Sequence, residues 1–120
     1  MRTVRAIHAP SGRVLAQEAK VAESAPCRAL GLLACPVLKP GGGLWLLPCS
    51  SIHTLGMAYA LDVLLLSPNL RVLAVAAGLK PWRLLWRPGL GAHSVLELPS
   101  GALKGLPTLV GTSLRMEPLP

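Results

Sequence analysis

Four residues have the chemistry of a site. His53 lies in Ser51-Ile52-His53-Thr54-Leu55-Gly56-Met57, the most distinctive stretch of the chain. An imidazole titrates near neutral pH and can take up or release a proton there. Asp62 is the sole aspartate, set between Leu61 and Val63, and Glu97 sits in Val95-Leu96-Glu97-Leu98. His53 with either acid would support acid–base hydrolysis. Arg83 adds a planar set of donors suited to an anionic oxygen. The reading favoured here is a shallow cleft in which His53, Asp62, Arg83 and Glu97 bind a small anionic ligand or a partner segment. In that reading the acids hold the arginine in place and no residue is assigned as catalytic.

Each residue also has a plainer reading. A buried aspartate flanked by apolar neighbours must be hydrogen-bonded, so Asp62 would accept from backbone N–H groups or pair with an arginine. Alternation places Val95 and Glu97 on one face and Leu96 and Leu98 on the other. Glu97 would then face solvent on an edge strand or, more sharply, line a cleft. Cys49 and His53 could offer zinc two ligands, with Cys27 or Cys35 completing the set. No Cys-x-x-Cys pair supports this, and no metal or cofactor is expected. A Gly-x-Ser-x-Gly elbow, a His-Glu-x-x-His pair and a phosphate-binding glycine loop are all missing from the sequence, so enzymatic chemistry is the lesser expectation.

The stretch Lys80-Pro81-Trp82-Arg83-Leu84-Leu85-Trp86-Arg87 interleaves cations with two of the three tryptophans. Trp82, Arg83, Trp86 and Arg87 could stack on bases and neutralise phosphates. The favoured alternative is that the tryptophans fill a core that has no phenylalanine.

The elements that must position these groups are short and mostly extended. Thr3–His8 and Arg13–Val21 alternate about a Pro10-Ser11-Gly12 turn, which predicts a hairpin. Ser24 with Pro26 predicts a helix start, Arg28–Leu33 the short helix and Pro36 its end. Pro40–Gly43 reads as a loop, Leu44–Leu47 as a strand, and Ser51–Met57 as a turn or bulged strand. Leu61–Leu66 and Arg71–Ala76 about Ser67-Pro68-Asn69 form the clearest hairpin signal. Pro81–Arg87 is ambiguous. Ser94–Leu98 reads as a strand, Ala102–Leu106 as one helical turn, Thr112–Met116 as a last strand and Glu117–Pro120 as a frayed tail. The expected fold is α+β and mostly β: one small compact domain over residues 1–120 with one or two short helices.

Composition narrows the class. The chain has 120 residues, 52% hydrophobic and 14% charged. So few charges, against a usual share of about 25%, exclude a disordered chain. Net charge is +7, from 12 basic and 5 acidic residues. The excess is spread over both halves without a basic run, so nucleic acid is not the expected partner. Three cysteines cannot all pair, and the first twenty residues have no apolar stretch of a secretory signal, which points to a cytoplasmic protein with reduced thiols. No apolar run approaches the roughly 20 residues of a transmembrane helix. Arginine excess and the near-absence of amides fit a thermophile. A monomer or a homodimer paired through edge strands is expected.

The His53 stretch followed by Leu61-Asp62-Val63, then Leu79-Lys80-Pro81-Trp82-Arg83, then Gly91-Ala92-His93-Ser94-Val95-Leu96-Glu97-Leu98-Pro99-Ser100-Gly101 resembles the domain of unknown function 192 family. The resemblance runs from about Cys27 to Met116. It implies a stand-alone β-barrel-like domain and no agreed activity or cofactor. Relatives usually have proline before the Leu-Asp pair, where this chain has Ala60. They usually have Gly-Asp near the end, where it has Gly111-Thr112.

Overall fold

A computed structural model describes residues 2–23, 38–53, 59–106 and 108–120. Among these residues nine strands are formed: β1 Thr3–His8, β2 Arg13–Ala22, β3 Gly42–Leu46, β4 Ser51–His53, β5 Leu61–Leu66, β6 Val72–Leu79, β7 Leu84–Trp86, β8 Ser94–Pro99 and β9 Leu114–Pro118. Seven build one sheet in the order β6-β5-β8-β3-β2-β1-β9, and β4 pairs with β7 in a separate two-stranded ribbon. All pairs are antiparallel except β2 with β3. A parallel pair requires a crossover, and the long connection between Ala22 and Gly42 supplies it.

The sheet curls until its two edges meet at one corner. Arg71 bridges Ser113 there. Val72 N–H donates to the Thr112 carbonyl at 2.8 Å and Leu114 N–H to the Leu70 carbonyl at 2.9 Å. No strand ladder joins β6 to β9 beyond that corner among the described residues, so the sheet is a half-barrel. Its inner face buries Val4, Ala16, Val21, Trp45, Leu64, Leu66, Leu96, Leu98 and Leu114. Its outer face buries Ala22, Leu44, Leu46, Leu61, Val63, Leu65 and Val95, with Leu85 of β7 packed against them. Every residue of β5 is therefore buried, which explains why its sequence is a nearly continuous apolar run and not an alternating one.

Both predicted hairpins form, β1–β2 and β5–β6. The predicted helix over Arg28–Leu33 lies outside the described residues, which contain no helix. Three other expectations need correction. Ala102–Leu106 is a series of tight turns, with Lys104 N–H bonded to the Gly101 carbonyl and Leu106 N–H to the Leu103 carbonyl. Gly101 and Gly105 both have positive φ, which breaks any helical path. Gly42 and Gly43, read as loop, begin β3, and Glu117 and Pro118, read as tail, end β9. Gly43 suits a strand here because a Cβ would lie 3.3 Å from both Ala16 Cβ and the Glu97 carbonyl oxygen.

Candidate functional site

Strand register divides the candidate residues. On β5 and β8, Asp62 lies opposite Leu98, and Glu97 lies opposite Val63. Leu98 belongs to the inner core and Val63 to the outer one. Because side chains alternate along a strand, the two carboxyls project from opposite faces of the same sheet. The expected convergence of all four residues is therefore not formed.

Asp62 points into the half-barrel and is 2% exposed. Its Oδ1 accepts from Gly78 N–H at 2.8 Å, and its Oδ2 accepts from Gly101 N–H at 3.1 Å and Leu103 N–H at 3.0 Å. Gly78 has φ 67° and lies at the irregularity where β6 shifts register against β5. Gly101 and Leu103 belong to the turns after β8. One carboxylate thus ties the end of an edge strand to the segment that caps the inner core. Both oxygens are committed to backbone donors.

Glu97 is 1% exposed and sits on a central strand, so the solvent-facing edge position considered for it is corrected. Its cross-strand neighbours are Leu44 and Val63. Its Oε2 is enclosed without a hydrogen-bond partner. Burial among apolar side chains penalises the charged form and pushes the Glu97 carboxyl up to about 8, from an ordinary value of 4.5. At neutral pH this group is a carboxylic acid and can donate its proton in a hydrogen bond.

The β4–β7 ribbon lies on the Glu97 side of the sheet, since Leu85 packs into the outer core. Within it His53 pairs with Leu84 along the backbone. The His53 side chain lies outside the described residues, as do the Trp86 side chain and Cys27 and Cys35, the thiols considered for zinc. Arg83 precedes β7, is exposed, and donates to the Trp82 carbonyl at 3.4 Å. Cys49 Sγ contacts the Ser51 carbonyl oxygen at 2.9 Å. The ribbon that carries His53, and that Arg83 adjoins, is thus layered on the face that bears Glu97, and Asp62 faces away.

One linked set escaped sequence reasoning. His8, 5% exposed, bonds Ser11 Oγ through Nδ1 at 2.7 Å and Thr112 Oγ1 through Nε2 at 3.2 Å. Thr112 donates its hydroxyl to the Leu109 carbonyl at 2.5 Å. Its oxygen must then accept from Nε2–H, and in the neutral ring that tautomer has Nδ1 accepting from the Ser11 hydroxyl. Ser11 Oγ also accepts from Arg13 N–H at 3.2 Å, as a turn hydroxyl does. Thr112 stands where the resemblance leads one to expect aspartate. The polar tip of β1 next to a Pro-Ser-Gly turn was the available signal. The partner 104 residues away was not legible.

Comparisons with known proteins agree with this architecture. A crystal structure of a protein of unknown function from Novosphingobium aromaticivorans DSM 12444 superposes with a TM-score of 0.75 at 22% identity, covering 94% of this chain and 83% of that one. A Sinorhizobium meliloti 1021 protein described as a candidate transcription regulator gives 0.76 at 22% identity, covering 96% and 92%. At such identity the likeness is one of fold. No curated protein matches the chain. The family model described as uncharacterised ACR, domain of unknown function 192, matches residues 6–116, a span that begins well before Cys27 and includes the end of β1 and all of β2. This chain belongs to the domain of unknown function 192 family.

Proposed function

We propose that this chain is a binding module and not an enzyme, and that it takes a small anionic ligand or an anionic partner segment between the β4–β7 ribbon and the outer face of the main sheet. The observation that carries this reading is Glu97. A fully buried carboxyl with an unpartnered oxygen is costly to keep unless something uses it. Held neutral to about pH 8, it offers an O–H donor in an apolar setting, where a hydrogen bond to an anionic oxygen is strong. Arg83, immediately before β7, supplies the compensating charge in this reading, which assigns His53 of β4 as a second donor. Asp62 contributes rigidity from the opposite face by fixing the end of β6 and the turns after β8.

Thermal unfolding in the presence of phosphate, sulfate, acetate or succinate tests the reading. At pH 6 at least one of these anions should raise the midpoint saturably, by a few degrees at high occupancy. The rise should vanish in Arg83→Ala and Glu97→Leu and weaken at pH 9, where Glu97 ionises and repels the ligand. Anion effects that are absent, or equal in all three proteins, would exclude the site.

A further inference from the structure

Among the described residues four large apolar side chains stand exposed: Trp82 at 63%, Leu84 at 62%, Leu90 at 44% and Val110 at 54%. Three of them fall between residues 82 and 90. The surrounding interval, Gly78 to His93, contains Lys80, Arg83 and Arg87 and no acid.

The local backbone holds these side chains outward. Trp82 has φ 62°, a left-handed conformation that bulky residues rarely adopt. Leu84 projects to solvent while its neighbour Leu85 is 3% exposed and packed on the sheet. The ribbon is therefore anchored through Leu85 and presents Trp82 and Leu84 as separate, protruding groups.

Charge and shape select the occupant. A second copy would bring the same cations face to face. Single-stranded nucleic acid would use Trp82 for stacking but has no partner for the aliphatic Leu84 and Leu90, and the interval has no amide or hydroxyl side chain to reach base edges. An anionic lipid surface accepts all three elements without any pocket. Isolated apolar side chains enter the acyl boundary, an indole ring sits at headgroup level, and Lys and Arg meet the phosphates. We propose that the protruding Trp82–Leu90 region docks this protein peripherally on anionic membrane surfaces. The inference is independent of the ligand cleft, because it requires neither Glu97 nor His53.

Sedimentation with vesicles tests it, using phosphatidylcholine alone and phosphatidylcholine containing about 30% phosphatidylglycerol, a net-negative surface. The intact chain should partition at least about tenfold more strongly to the anionic vesicles, and raising the salt should release it. Trp82→Ala/Leu84→Ser should lower that partitioning about tenfold. Lys80→Gln/Arg87→Gln, which leaves Arg83 in place, should abolish the preference for anionic lipid. All of these side chains except Leu84 lie outside strands, and circular dichroism checks that the variants fold. Failure to bind anionic vesicles, binding unchanged in both variants, or Trp82-dependent binding to a single-stranded oligonucleotide without vesicle binding would each overturn the proposal.

Discussion

Asp62 and Glu97 show how one residue class takes opposite roles on two faces of a sheet. Asp62 has three backbone donors, so its charge is solvated by the protein itself. Asp62→Ala would leave three N–H groups without their acceptor and should cost about 3–5 kcal/mol, read from urea midpoints. Glu97 lacks such donors, and its folded-state carboxyl stays protonated to about pH 8 while the unfolded chain ionises near 4.5. Its stability contribution is fully present below pH 4.5. It declines as the unfolded chain releases a proton that the folded one retains, and levels off above pH 8 after a loss of roughly 5 kcal/mol. Glu97→Gln should flatten that dependence, so the variant should match the parent near pH 4.5 and exceed it at pH 8. A parent whose stability does not change over this range would show that Glu97 is not buried as described. The sequence signalled that Asp62 needed partners, but not which ones, since Gly78, Gly101 and Leu103 lie 16 to 41 residues away.

At the scale of elements, local pattern was most legible where strands are joined by short turns. Both hairpins could be read because alternation and Pro/Gly/Asn punctuation act over fewer than a dozen residues. The ribbon could not: β4 and β7 are three residues each and separated by the whole β5–β6 hairpin. Glu97 was assigned correctly to a face, but whether that face was wet depended on β5 and β3 flanking β8, a long-range fact. Gly43 illustrates the same limit. Its lack of a side chain matters because β2 and β8 close over it, and Gly43→Ala should lower stability by about 1–2 kcal/mol, since neither the Ala16 methyl nor the Glu97 carbonyl can rotate away. Trp82→Gly should act oppositely. Relieving φ 62° on an exposed ring should leave stability equal or up to about 1 kcal/mol higher, while removing the proposed membrane contact. A marked destabilisation would mean that the indole packs against the chain.

For the whole molecule, the mostly β class was legible from composition and punctuation, and the closure was not. A curled sheet whose edges touch, among the described residues, only around the bridge of Arg71 with Ser113 has uneven protection. The amides of Val72, Gly111 and Leu114 at that seam should exchange with deuterium sooner than those of β3, β5 and β8, which have neighbours on both sides. Equal protection would indicate a continuous barrel. The pairing of β1 with β9 has another consequence. Val4 lies opposite Pro118, and Leu119 N–H bonds the Thr3 carbonyl at 3.0 Å, so the two outermost segments leave the sheet side by side. A pull applied to them would load that antiparallel ladder one rung at a time, as a zip is opened, and never all rungs together. The half-barrel should therefore yield at low force when stretched through these segments, however stable it is in urea, and would make a compliant link in any chain placed under tension.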